Sequence, residues 1–600
     1  MFLSGKKRLK KILLATTVII VIAKLLLDHH TIRSMPEKKT PNDDFYYSLV
    51  NHLKTYKPIA LEETSIENKK NLRTKNCKMA DMSLFDDRVN NLAVYNNLNE
   101  CYSLPDSIFD NLESNHWGFV NKIKTDLQKK YHHPSSSSKE TKEKDDNESD
   151  IGIVTVGGGK YSVLAYNSIR SMRKFGTTLP VEVFIPEVDK VGEEDFCFNV
   201  LPKLNAKCIF LSDVLPDSLL EDPDFKFDRF QFKVWALLIS TFRHVAFIDA
   251  DNYLISNLDD FNNQTSYLEN GLVIWPDMWA RVTPPTFYKL IHKHIDLNEN
   301  PIRNVGDSIT PFEIQYPEYK DNRMTYDDAA NKIRMHNFKN TLSDPTSESG
   351  QMLMDKVRHL DTLLLSLYYN VYGPAWYYNM FSLGGAGEGD KETFIGAAFA
   401  LDNPYYQIKS GMGITGFFKQ KKEGGNGEYR GCGLLQVDFE KDYQHYYNYV
   451  RKNSEKLVQD DLFGNDDNDP IKKYNKGRIF YDKWMKDENN GKNLEYMFVH
   501  ASLNKFDPWR LYKDREFAYD RDGVTPYRQF RDLKRMKYFD IELFAFEELE
   551  KVMCHDEQRI DFKYYQDKKN TDDWPKICLE LSKRVEFLKE THDSAVKPEI

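Results

Sequence analysis

Apolar and polar positions change rhythm along this chain, and the clearest rhythm begins at residue 151. Ile151-Gly-Ile-Val-Thr-Val156 reads as a buried strand ended by Gly157, Gly158 and Gly159, and a helix is predicted over 161–174. Val181-Glu-Val-Phe-Ile185 and Cys208-Ile-Phe-Leu211 read as the next strands. A helix over 232–242 then leads to a strand at Val245–Ile248, and Gly271-Leu-Val-Ile-Trp275 is another strand. Strands alternating with helices imply an α/β fold with a mostly parallel sheet, whose ligands bind at the carboxyl strand ends.

The flanking regions differ. Over 43–133 the pattern is helical, with an entry at Leu104-Pro-Asp-Ser-Ile-Phe109 and apolar positions at Ile108, Leu112, Phe119 and Ile123. Residues 134–150 are charged and lack apolar side chains, which predicts a solvated linker or loop. Residues 511–600 read as a charged, helical C-terminal extension of the main unit at 151–510.

At the start, Lys6, Lys7, Arg8, Lys10 and Lys11 precede an apolar run over 12–27 that is broken by Lys24. The run is somewhat shorter than the roughly 20 residues of a typical span, and Lys24 sits where it can snorkel. A cleaved signal peptide is the rival reading, but Lys24 and three leucines occupy the place of the small residues a cleavage site needs. The expectation is a cytosolic tail (1–11), an uncleaved anchor (12–27), a polar stem (28–42) and a lumenal bulk, because the basic flank stays in the cytosol.

Composition narrows the classes. With 83 Lys+Arg against 92 Asp+Glu, the net charge is -9 and no basic domain stands out, so nucleic acid is not expected as a partner. The 35 Tyr and 37 Phe suit wet, concave surfaces on which sugars stack. Seven cysteines fit an oxidising lumen. Sequence locality suggests the pairs Cys77–Cys101, Cys197–Cys208 and Cys554–Cys578, with Cys432 free, although spacing alone does not fix connectivity. Asn147 and Asn263 open two Asn-x-Ser/Thr sequons, both lumenal in this topology.

Three constellations carry chemistry. His244-Val-Ala-Phe-Ile-Asp249-Ala250-Asp251 delivers two carboxylates to a strand end, where they can hold Mg²⁺ or Mn²⁺ against a diphosphate. The plain alternative is a turn after a strand. Gly157–Gly159 either lets a ligand approach the backbone or forms a tight turn. It matches neither a dinucleotide fingerprint nor a Walker loop. Gly384-Gly-Ala-Gly-Glu388-Gly-Asp390-Lys-Glu-Thr-Phe394 leaves room for a sugar whose hydroxyls Glu388 or Asp390 can bind, or else Asp390 caps a helix. Phe498-Val-His500-Ala-Ser-Leu-Asn-Lys505-Phe-Asp-Pro-Trp509 offers an imidazole for the aspartates and an ammonium for a leaving diphosphate, or a structural histidine.

Five motifs stand in order: Thr155-Val-Gly-Gly-Gly-Lys-Tyr161, Phe247-Ile-Asp-Ala-Asp-Asn252, Leu272-Val-Ile-Trp-Pro-Asp277, Glu348-Ser-Gly-Gln351 and Gly384–Phe394. Together they resemble the fungal Golgi α-mannosyltransferases that branch mannan, best the α-1,2 subgroup acting on an α-1,6-linked backbone. The resemblance spans about 45–520. It implies a GT-A-like, Rossmann-type catalytic domain, GDP-mannose as donor, a mannan or N-glycan acceptor and Mn²⁺. It also implies type II topology in the Golgi membrane, with a Golgi mannosyltransferase complex as a further partner. On the family pattern Asp249, Asp251 and His500 are metal ligands. Gly157, Gly158, Gly159, Tyr161, Asp249, Asp277 and Lys505 bind donor, and Asp390 and Glu388 are catalytic. Tyr161 would stack on guanine. Asp277 with Trp275 would line the cleft, with Trp275 equally readable as core. Phe506-Asp507 separates Lys505 from Pro508, a departure from the Lys-Pro-Trp run of other retaining GT-A enzymes. The alternatives are an α-1,3-mannosyltransferase of the same superfamily and a catalytically silent Golgi accessory subunit.

Overall fold

The computed structural model describes residues 42–64, 77, 92–133, 150–299, 301–302, 323–385, 387–419, 428–446, 494–520 and 522–596. The expected cytosolic tail and anchor, Asn147 and nearly all of the stem and linker lie outside these residues. Among the described residues no helix is long and apolar enough to cross a membrane.

In chain order the strands are β1 (Ile151–Val156), β2 (Val181–Phe184), β3 (Ala206–Ile209), β4 (His244–Ile248), β5 (Asn252–Leu254), β6 (Leu272–Pro276), β7 (Ser347–Asp355), β8 (Tyr406–Gln407), β9 (Gly413–Lys419), β10 (Glu428–Val437) and β11 (Tyr496–His500). Seven of them form a sheet of order β3-β2-β1-β4-β7-β6-β8. β1 pairs in parallel with β2 and β4, β2 with β3, and β6 with β8. The β3-β2-β1-β4 half has the Rossmann-type order, so the expected α/β class with a Rossmann-type sheet holds. β7 runs antiparallel to β4 and β6. Its beginning therefore lies beside the end of β4, at the edge where ligands bind.

Both faces of the sheet are covered, which explains runs with little polar alternation. Val154, Phe184, Val245, Phe247, Met352 and Met354 face one core. Ile153, Val183, Ala246, Ile248 and Leu353 face the other. On the first side the helix Leu360–Val371 receives the N-terminal helices Asp43–Thr55 and Asp106–Lys122, with Phe119 stacked on Tyr368 at 4.7 Å between centroids. The Tyr372 and Trp376 side chains donate to the carbonyls of Leu53 and Ile59. The N-terminal helices thus share the main core.

On the second side a four-stranded antiparallel sheet, β5-β11-β10-β9, joins the helix Lys160–Lys174 and the C-terminal helices Ile541–Cys554 and Trp574–Glu590. Cys77–Cys101, Cys197–Cys208 and Cys554–Cys578 are bonded, and Cys432 is free and buried, as locality suggested.

Candidate functional site

The two sheets meet where β4 ends. The Asp249 N–H donates to the Gly350 carbonyl at 2.8 Å, which ties the Asp-Ala-Asp turn to the start of β7. Asn252 on β5 pairs in register with His500 at the end of β11. The Ala501 N–H donates to the Asp251 carbonyl at 2.9 Å. Together these bonds bring His500, remote in sequence, onto the aspartates. Gly350 makes the approach feasible: a Cβ there would lie 2.5 Å from the imidazole Cε1. One ligand atom from each of Asp249, Asp251 and His500 falls within 4.8 Å of the others. His500 Nε2 is 3.4 Å from Asp251.

This donor set fits a divalent cation. Two carboxylates and an imidazole suit a borderline-hard ion such as Mn²⁺. His500 Nδ1 faces the Glu348 carboxylate, which leaves Nε2 turned toward the aspartates. Two ammonium groups already compensate the carboxylates, Lys505 on Asp251 and Lys233 on Asp249, the latter at 2.9 Å.

Glu348 stands 3.6 Å from His500 Nδ1. Burial raises its carboxyl, but His500 together with the Lys391 and Lys233 ammonium groups outweighs burial and holds it at about 2. Burial works against charge on His500, and Glu348 reverses that, so the imidazole is held above its ordinary value. A cation at the triad would displace that proton.

Sequence reading missed Lys233. It sits in the apolar helix Gln231–Ile239, and its ammonium donates to Asp249, to the Ser349 hydroxyl at 2.9 Å and to the Ser349 carbonyl at 3.1 Å. It also lies 3.2 Å from Asp390. Burial opposes its charge, yet Asp249 and Asp390 hold it well above the usual lysine value. A lone lysine in that helix was the available signal. Lys505 lies at the rim, where burial pulls it down to about 8 against the attraction of Asp249.

Asp390 reaches this cluster. It stands just before the helix Lys391–Ala400 but makes no side-chain cap bond, so its carboxylate is spent on Lys233 and, at 3.4 Å, on Ser349. Glu388 diverges from it: its carboxylate accepts from the Ser382 hydroxyl at 3.1 Å, on the other side of the loop.

Packing decides how the other expected residues are used. Trp275 is fully buried, donates to the Val437 carbonyl and packs edge-on against Phe498, so it belongs to the core. Asp277 is not an open cleft wall. Its buried carboxylate is bound by Lys391 at 2.6 Å, which locks the start of the helix Lys391–Ala400 to the end of β6. The Gly157, Gly158 and Gly159 N–H groups all have internal partners, the Phe184 carbonyl, the Ser162 hydroxyl and the Glu193 carboxylate. None is left to receive a phosphate. Gly159, at φ 54° and ψ −124°, is a turn only glycine adopts readily. Tyr161 follows on the exposed first turn of the helix Lys160–Lys174, 40% accessible, with the Lys160 ammonium 5.3 Å from its ring centroid. Asn263 is exposed at the end of a short turn of helix, so its sequon is accessible.

A family described as "Mannosyltransferase putative" matches residues 150–438. Alpha-1,2-mannosyltransferase MNN5 of Saccharomyces cerevisiae is 39% identical over 563 residues, covering 92% of this chain and 90% of that protein. Alpha-1,2-mannosyltransferase MNN2 of the same yeast is 38% identical, covering 74% of this chain and 71% of its own. Alpha-1,2-mannosyltransferase MNN21 of Candida albicans is 33% identical, covering 74% and 62%.

Proposed function

This chain belongs to the family of fungal α-1,2-mannosyltransferases, and from that premise we propose that it moves mannose from GDP-mannose onto an α-1,6-linked mannan backbone or its branches. It is a glycosyltransferase, and its reaction is α-1,2-mannosyl transfer. The observation that carries the donor reading is the meeting of Asp249, Asp251 and His500 at the edge where the two sheets join. Mn²⁺ is the proposed ion, and bound there it would stabilise charge on the leaving diphosphate as a Lewis acid.

The chain's own residues supply the rest. Lys505, at the rim beside Asp251, faces the diphosphate and offsets its charge. Asp390, held by Lys233, orients donor hydroxyls and screens positive charge at the anomeric carbon. Glu388 supports the same loop from its Ser382 side. Donor and product are both α-linked, so configuration is retained. The anomeric carbon–phosphate oxygen bond breaks as the acceptor oxygen bonds to the same face. The hydroxyl proton passes to the leaving phosphate oxygen, so no protein base is required.

The proposed setting is the Golgi lumen, reached through the N-terminal anchor, with other mannosyltransferases as partners. The basic-then-apolar order of residues 6–27 and the three disulfides support it.

The test is incubation with GDP-mannose and α-1,6-mannobiose, followed by linkage analysis of the product. A new α-1,2 bond formed only with divalent metal is expected. An α-1,3 bond, or GDP binding without transfer, would replace this reading with the corresponding alternative.

A further inference from the structure

A cavity of about 560 Å³ lies between the segment that opens with the short helix Tyr95–Cys101 and the segment that follows β6. Its size is that of a small-ligand site. One wall is Tyr95, Asn99, Tyr102 and Ser103, and the other includes Thr286 and Lys289. The walls are joined, because the Thr286 hydroxyl donates to the Tyr102 carbonyl at 2.8 Å.

The chain links the cavity to the Gly-rich loop. The chain leaving β6 passes Asp277, bound to Lys391, then Trp279, which a Cβ on Gly387 would approach to 3.4 Å. It continues through Thr283, whose hydroxyl donates to the Phe381 carbonyl, into the cavity-lining helix Pro285–Leu290. On the other wall the buried Tyr102 phenol feels the Glu388 carboxylate and makes no hydrogen bond.

His292 is paired with Glu113 at 3.0 Å and Lys293 with Asp402, while Asp106 and Lys289 stand exposed at the cavity. The lining thus joins charges of both signs to neutral hydrogen-bonding groups and the half-buried Tyr95 ring. Charge of both signs suits a neutral polyol, whose hydroxyls both donate and accept, rather than an anion.

We infer that this cavity is a second carbohydrate subsite, which holds mannose units of the acceptor chain away from the reacting sugar. The inference rests on the mannosyl-transfer reading for the identity of the sugar. It also gives the segment from Tyr95 to Ser103 a role, since it builds one wall of the subsite.

The test is equilibrium titration of the metal-stripped full-length protein with α-1,6-linked mannose oligosaccharides of increasing length. Affinity is expected to rise by about tenfold or more from the shortest to the longest. Ser103→Trp, which fills the mouth, and Tyr95→Ala, which removes a stacking face, should each abolish that gain. Thermal melting checks that both fold, and either one alone suffices. Length-independent affinity in the wild type, or an undiminished gain in a folded variant, overturns the inference. The failures are distinguishable: length-dependent binding without transfer would defeat the functional reading and leave the subsite standing, and transfer without length dependence would do the reverse.

Discussion

Replacing Lys233 by methionine isolates the one described cation that touches both the aspartate pair and the Gly-rich loop. Methionine keeps the length and apolar stem of lysine, so the change reports charge and hydrogen bonding. Lys233 is 15% exposed, with Asp249 at 2.9 Å and Asp390 at 3.2 Å. Removing one partner of a buried ion pair costs about 3–5 kcal/mol. Asp249 is 20% exposed, so water reaches it and the low end, about 3 kcal/mol, applies. A divalent cation on Asp249 would restore local positive charge, so the deficit should shrink in Mn²⁺. Catalysis responds differently. Asp390 loses the tether that holds it toward Asp249, and misplacement by about 1 Å at a reacting centre costs about 10²-fold. Urea unfolding with and without Mn²⁺, and initial transfer rates, are the assays. The expected result is a metal-sensitive stability loss, kcat down by about 10²-fold and GDP affinity within about threefold of wild type. A rate within about threefold of wild type would refute the coupling of Asp249 to Asp390 through Lys233.

Asp390→Asn keeps the shape of the side chain and removes its charge. Transfer should be lost while GDP binding is retained, and loss of GDP binding instead would move Asp390 to the nucleotide. Lys356 is fully buried, donates to the Leu237 and Ser240 carbonyls, and is pulled by burial down to about 7. The unfolded chain therefore binds more protons between about pH 7 and the free-lysine value of about 10.4. Wild-type stability measured against Lys356→Met should fall as pH drops through that window, by at most about 1.4 kcal/mol per unit, and a flat difference would refute it. Burial pushes the Cys432 thiol up to about 12. It should resist alkylation at neutral pH until the chain unfolds, and peptide mapping that places it in a bridge would contradict the structure.

The central sheet was legible because its strands are short apolar runs between turn residues: β1 matches its predicted span, and β2, β4 and β6 fall within a residue of theirs. The second sheet was not. Gly413, Gly416, Gly431 and Gly433 interrupt β9 and β10 and break any alternation. Backbone crowding explains some of them, since a Cβ on Gly416 would lie 2.0 Å from the Arg430 carbonyl oxygen. That sheet carries β11, so the route by which His500 reaches the aspartates was invisible even though the residue itself could be named. Lys233 shows the same limit: it matters through Asp249 and Asp390, far along the chain, and belongs to no motif. Glu348 stood in a recognised motif, but its pairing with His500 needed the fold to show it. Asp277 was read as a cleft residue and Trp275 equally as cleft or core: both stand at a strand end by the site edge, and only packing shows that their side chains are committed elsewhere.

The most direct measurement is calorimetric titration of GDP into metal-stripped protein with and without Mn²⁺, for wild type and Asp251→Ala. The account predicts tight binding only in wild type with Mn²⁺, and weak binding in the folded variant under both conditions. Equal GDP affinity with and without metal, or a variant that binds like wild type, would contradict the Asp249–Asp251–His500 clamp.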